Sequence, residues 1–75
     1  MTEVRLPDLG EINEVTVVDW LRQEGETVVA GEGLVEVETE KTTFVVEAPQ
    51  AGKLALIVKK KGDKAQINEL LARIS

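Results

Sequence analysis

The stretch Trp20-Leu21-Arg22-Gln23-Glu24-Gly25-Glu26-Thr27-Val28 returns in altered form as Ile57-Val58-Lys59-Lys60-Lys61-Gly62-Asp63-Lys64-Ala65. Gly62 lies 37 positions after Gly25, and the same offset lays Leu34-Val35-Glu36-Val37 on Leu71-Ala72-Arg73-Ile74. Two copies of one pattern, each too small to bury its own apolar face, imply a pseudo-twofold domain in which two sheets close on a shared core.

Outward from the repeat, apolar and polar residues alternate in Leu34-Val35-Glu36-Val37-Glu38-Thr39 and Thr43-Phe44-Val45-Val46-Glu47, and β-branched residues recur throughout. This favours strands over helices. The spacing predicts strands over 3–6, 15–21, 27–29, 34–39, 42–47, 53–58, 64–66 and 70–74. Breakers fall between them at Pro7-Asp8-Leu9-Gly10, Glu24-Gly25-Glu26, Ala30-Gly31, Pro49-Gln50-Ala51-Gly52 and Lys61-Gly62-Asp63. Only Gln66 to Arg73 competes as a helix, because Ile67, Leu70, Leu71 and Ile74 also fall at helical spacing. The repeat decides against it: if Leu34 to Val37 is a strand, so is Leu71 to Ile74. The expected fold is all-β, a flattened barrel or sandwich of two four-stranded antiparallel sheets.

With 75 residues, the chain is read as one domain over 1–75, with no room for a second catalytic one. Histidine, cysteine and tyrosine are absent and the only serine is Ser75, so self-contained nucleophilic or histidine-based catalysis is nearly excluded. Zinc staples and disulfides fall with the missing cysteine and histidine. A formal charge of -5 argues against general nucleic-acid binding, which needs a basic footprint. The N-terminal residues lack a basic stretch followed by an apolar run, which predicts a soluble piece whose compartment is unmarked.

Between the two clearest strands lies Thr39-Glu40-Lys41-Thr42, a polar tip without glycine or asparagine, for which a type I turn fits better than a primed one. Taken alone, a lysine at a hairpin tip is ordinary. The repeat gives it a position, however: shifted by one repeat, Lys41 runs past Ser75 in one direction and onto Val4 in the other, so symmetry sets it opposite the paired termini.

In order, Pro7-Asp8-Leu9-Gly10-Glu11, Trp20-Leu21, Glu24-Gly25-Glu26-Thr27-Val28, Gly31, Leu34, Glu36-Val37-Glu38-Thr39-Glu40-Lys41, Pro49, Gly52, Gly62-Asp63 and Leu71-Ala72-Arg73-Ile74 make a pattern that covers essentially the whole chain. It resembles the lipoyl domains of 2-oxo acid dehydrogenase complexes, within the biotinyl/lipoyl domain family, and specifically those of dihydrolipoamide acyltransferase chains. The resemblance implies lipoic acid amide-linked to Lys41 and no catalysis by the domain itself. It implies recognition of the hairpin by the lipoylating enzyme or partners through Glu38, Glu40, Thr42 and Gly25. For Glu38 and Gly25 the plain alternatives are an outward carboxylate and a turn residue. Two departures stand out: Glu40 and Thr42 replace the usual aspartate and alanine, and the loop after Glu11 is one residue short.

The amide would remove the lysine charge and add an arm reaching about 14 Å from the backbone. In the family, a thiamine-dependent 2-oxo acid decarboxylase loads the arm, an acyltransferase domain passes the acyl group to coenzyme A, and dihydrolipoamide dehydrogenase reoxidises the carrier. Tethering gives high effective concentration, so weak docking of a monomeric domain suffices. The implied compartment is the cytoplasm in a bacterium or archaeon and the mitochondrial matrix in a eukaryote. Ending at Ser75, where the last strand finishes, suggests a domain excised from a longer acyltransferase.

Other features receive blander readings. Lys59-Lys60-Lys61 with Lys64 is a solvated turn, and Trp20, matched to Ile57 by the repeat, is a packing residue. Glu32, Glu36, Glu38 and Glu40 form an outward face rather than a hard-cation site. Gly31-Glu32-Gly33 is too short for a phosphate loop. The rival functions are a biotin carrier, which in the family has methionine on both sides of its lysine, and an unmodified lipoyl-like interaction module. A glycine-cleavage carrier is disfavoured by length, and a self-sufficient enzyme by the side-chain inventory.

Overall fold

The computed structural model describes residues 2–8, 10 and 13–75. Its strands are β1 (Thr2–Arg5), β2 (Glu14–Trp20), β3 (Thr27–Val28), β4 (Gly33–Glu38), β5 (Thr43–Glu47), β6 (Gly52–Ile57), β7 (Lys64–Gln66) and β8 (Leu70–Ile74). They form two four-stranded sheets in the orders β1-β8-β6-β3 and β5-β4-β2-β7, with every pairing antiparallel. The all-β expectation holds, including the 64–66 and 70–74 strands where a helix competed. Thr39 and Thr42 belong to the turn rather than to the flanking strands, a shift that apolar alternation cannot register because both are polar.

The two sheet orders superimpose element by element: β1 on β5, β8 on β4, β6 on β2 and β3 on β7. Each sheet therefore draws strands from both halves of the repeat, and neither half has a sheet of its own. Core positions follow the same rule. Val28 and Ala65, Leu34 and Leu71, Val35 and Ala72, and Val37 and Ile74 are equivalent pairs, all fully buried, and every fully buried side chain described is apolar. Backbone bonds repeat as well: Leu21 N donates to Leu34 O at 2.7 Å and Val58 N to Leu71 O at 2.8 Å, while Gly25 N donates to Leu54 O and Gly62 N to Val17 O, both at 2.8 Å.

Four tight turns share one construction, at 23–26, 29–32, 60–63 and 66–69. In each, the fourth residue's N–H donates to the first residue's carbonyl, at 3.1, 3.1, 2.9 and 3.0 Å. The third residue has positive φ: Gly25 at 95°, Gly31 at 86°, Gly62 at 91° and Asn68 at 68°. Positive φ at that position alone makes a type II turn, which glycine and asparagine adopt most readily. The fourth residue is always acidic, and its carboxylate accepts from the first residue's N–H: Gln23 to Glu26 at 2.7 Å, Val29 to Glu32 at 3.1 Å, Lys60 to Asp63 at 2.8 Å and Gln66 to Glu69 at 2.8 Å.

Glu32 thus belongs to a turn rather than to the outward face of a strand, and its carboxylate also pairs with Arg22. The equivalent pair in the second half is Lys59 with Glu69, at 2.8 Å. Lys60 and Lys64 reach Glu24 and Glu14 at 3.6 and 3.8 Å, so three of the four clustered lysines face carboxylates. Trp20 packs against the core, as expected, and its indole N–H donates to Lys59 O at 2.7 Å, tying the two halves together.

Candidate functional site

Connectivity decides where Lys41 stands. The end of β5 is held to the turn before β4 by Ala48 N to Glu32 O and Gly31 N to Ala48 O, at 2.8 and 2.9 Å. From there the chain enters β6, whose Leu54 pairs with Ile74, which in turn pairs with Thr2. The start of β1 and the end of β8 therefore meet at the end of the barrel where β4 begins and β5 ends. The Thr39–Thr42 turn caps the opposite end, where β4 ends and β5 begins. The pseudo-twofold expectation for Lys41 holds.

Under the turn, Val35 and Val37 are fully buried, Val46 is buried and Phe44 packs half-buried against the core. These residues make the hairpin a stiff support. Glu38 closes β4, paired with Thr16 on one side and Thr43 on the other. Glu38, Glu40, Lys41 and Thr42 are all exposed, and Lys41 makes no ion pair among the described residues. Positive φ outside glycine occurs only at Asn68 among the described residues, so both primed turns are excluded at Glu40-Lys41.

The turn is fastened by Thr39, which the sequence places at once at the end of the 34–39 strand and in the polar tip. Thr39 N donates to Thr42 O at 2.8 Å, and the Thr39 hydroxyl donates to the same carbonyl at 3.0 Å. That hydroxyl oxygen also accepts from Lys41 N at 3.2 Å and from Thr42 N at 3.1 Å. The available signal was threonine's tendency to bond the backbone two or three residues on.

Glu38, Glu40 and Thr42 share the hairpin with Lys41; Gly25 does not. Gly25 lies in the turn after β2, bonded to Leu54 of the other sheet, and its φ matches that of its repeat partner Gly62. The shortened loop after Glu11 lies outside the described residues. Among the described residues no group of carboxylates is gathered closely enough to hold a metal ion.

The model of the biotin/lipoyl family, described as biotin-requiring enzyme, matches residues 2–74. The chain belongs to that family. Within it, the chain is a lipoyl domain. The solution structure of the lipoyl domain of the 2-oxoglutarate dehydrogenase complex from Azotobacter vinelandii is 34% identical, with a TM-score of 0.79 over 100% of this chain and 96% of that one. The dihydrolipoyllysine-residue succinyltransferase component of the 2-oxoglutarate dehydrogenase complex from Bartonella vinsonii subsp. berkhoffii is 47% identical over 97% of this chain. This chain spans 18% of that relative's length. A single-chain, multi-domain long-chain acyl-CoA carboxylase matches with a TM-score of 0.70 and 26% identity, over 88% of this chain and 8% of the carboxylase. A lipoyl domain is a carrier and performs no reaction of its own. An exposed lysine that makes no ion pair among the described residues, carried on a braced turn, suits the covalent attachment of a prosthetic group.

Proposed function

We propose that Lys41 is the attachment point of lipoic acid, and that the domain carries acyl groups and reducing equivalents within a 2-oxo acid dehydrogenase complex. Its partners would be a lipoate-attaching enzyme, a thiamine-dependent decarboxylase, an acyltransferase domain and dihydrolipoamide dehydrogenase. The observation that carries the proposal is the place of Lys41, the one lysine of the Thr39–Thr42 turn, at the end of the barrel opposite the paired start of β1 and end of β8. The likeness to two proteins of 2-oxoglutarate dehydrogenase complexes favours that complex as the setting.

When bound, the dithiolane would supply a site for acyl transfer coupled to reduction. The chain's own share is mechanical. The buried valines hold the hairpin, and the turn directs Lys41 into solvent. The absence of cysteine leaves no internal thiol to capture the dithiolane. Glu38, Glu40 and Thr42 are the side chains that an attaching enzyme meets beside Lys41, and they are the recognition set we assign. The matching carboxylase keeps biotin as the second reading.

The test is intact mass spectrometry with peptide mapping after co-expression with a lipoate ligase, alongside a biotin ligase and a Lys41→Ala variant. One lipoyl increment on Lys41, absent from Lys41→Ala, is the expected result. Biotin in its place would move the domain to the carboxylases, and no increment from either ligase would leave it an interaction module.

A further inference from the structure

In each of the four tight turns at 23–26, 29–32, 60–63 and 66–69 the first N–H donates to a carboxylate three residues on; the turn that carries Lys41 is built otherwise. There the fastening group is a neutral hydroxyl at the first position. A threonine hydroxyl offers one donor and two acceptor sites. In Thr39 all three are used, on Thr42 O, Lys41 N and Thr42 N, at 3.0, 3.2 and 3.1 Å. Thr39 is also the only residue of the turn that is half-buried, whereas Glu40, Lys41 and Thr42 are exposed. Its oxygen holds the backbone on both sides of the Lys41 carbonyl. Two soft dihedrals per residue would otherwise let a glycine-free exposed turn sample several directions for the lysine stem.

We propose that Thr39 is the positioning residue for acylation of Lys41: by binding the N–H groups of Lys41 and Thr42 it fixes the direction in which the lysine leaves the hairpin. This rests on Lys41 being the attachment site. In the step concerned, the neutral Lys41 Nζ attacks the carbonyl carbon of a lipoyl adenylate held by the ligase. The N–C bond forms as the bond from the acyl carbon to the phosphate oxygen breaks. AMP leaves with that electron pair, and one N–H proton passes to solvent. An attack of this kind depends on the angle and distance at which the amine arrives, so a stem that wanders lowers the rate of the bond-forming step more than it weakens docking.

The test compares wild type, Thr39→Val, which keeps the shape and loses the hydroxyl, and Thr39→Ser, which keeps the hydroxyl. Loading by a lipoate ligase with lipoate and ATP is followed by intact mass. Amide hydrogen exchange at Lys41 and Thr42 is followed by NMR, and acetylation of Lys41 by acetic anhydride serves as a measure of bare amine reactivity. In Thr39→Val we expect kcat for loading to fall about tenfold with KM changed less than about twofold, the scale of a misplaced reactant. Exchange at both amides should quicken while acetylation stays at the wild-type rate, and Thr39→Ser should restore loading and protection together. Loading of Thr39→Val at the wild-type rate, or failure of Thr39→Ser to rescue, overturns the positioning role alone. Failure of wild type to load at all removes the attachment reading and the positioning role with it.

Discussion

The four turns at 23–26, 29–32, 60–63 and 66–69 and the turn at 39–42 reverse the chain by different means. The four spend a positive φ on their third residue and a charge on their fourth, and all four lie within the duplicated pattern. The fifth has no positive φ and no carboxylate clamp, and its repeat counterpart would fall past the last strand. Turns that only connect strands are built for stability and are interchangeable between halves. The turn that presents Lys41 has no copy and is fastened by an uncharged group, and Lys41 has no salt-bridge partner among the described residues.

The comparison should show most strongly in acid. Glu32 is held below the usual carboxylate range chiefly by the Val29 N–H, with Arg22 adding to it. The Lys59 ammonium lowers Glu69, helped by the Gln66 N–H, and the Ile57 N–H lowers Glu24. A carboxyl depressed in the folded state binds its proton later than in the unfolded chain. Its stabilisation is therefore complete above the ordinary carboxylate pKa and disappears as pH falls through the depressed value. Melting temperature should hold from neutral pH down to about pH 5, just above where unperturbed carboxyls titrate, and fall steadily below it. A triple Glu24→Gln, Glu32→Gln, Glu69→Gln protein should melt lower at pH 7 and show a flatter slope. Exchange protection of the Thr42 amide should not change over this range until the whole domain unfolds. Loss of that protection ahead of global melting would show the hydroxyl-fastened turn to be as acid-sensitive as the others.

The next effect uses the repeat as an internal control. A Cβ placed on Gly25 or on Gly62 meets nothing within 4 Å, so alanine at either position costs only the left-handed backbone conformation. That is about 1–2 kcal/mol. Gly25→Ala and Gly62→Ala should lose equal stability in urea titrations, and both should be loaded by a lipoate ligase at the wild-type rate. A loading defect confined to Gly25→Ala would give Gly25 the recognition role that its resemblance to the family implies and that its place away from the hairpin does not explain.

The fold was largely legible because burial follows a period of two and the repeat doubles the sample. Leu71 to Ile74 could be assigned as a strand only through its likeness to Leu34 to Val37, since its own spacing also suits a helix. The place of Lys41 was legible for the same reason, because the repeat offset sets it opposite the paired termini, whereas its proposed role as an attachment site came from the resemblance to lipoyl domains. The fastenings of the turns were not legible. Glycine and proline mark a reversal, but the acid that closes it contributes through side-chain reach, and Glu26, Glu32, Asp63 and Glu69 look like any surface carboxylates in one dimension. Thr39 falls within the polar tip, but its fastening role was not legible, because a threonine there suits a strand end equally well.

Asn68 is where a search for glycine and proline failed outright, because Gln66-Ile67-Asn68-Glu69 contains neither and is nonetheless the repeat partner of Val29-Ala30-Gly31-Glu32. The backbone there is held on both sides: Asn68 N donates to Leu6 O at 2.8 Å, and Asn68 O accepts from the Arg5 guanidinium at 2.8 Å. Its side chain makes no hydrogen bond among the described residues, so asparagine serves there as a residue that tolerates positive φ. Glycine removes the remaining steric cost of that conformation but adds freedom to the unfolded chain, and the two nearly cancel. Asn68→Gly should therefore raise stability by no more than about 0.5 kcal/mol, with no change in loading. A loss larger than that in a urea titration would mean that the Asn68 amide contributes a contact of its own, and the four turns would no longer be equivalent.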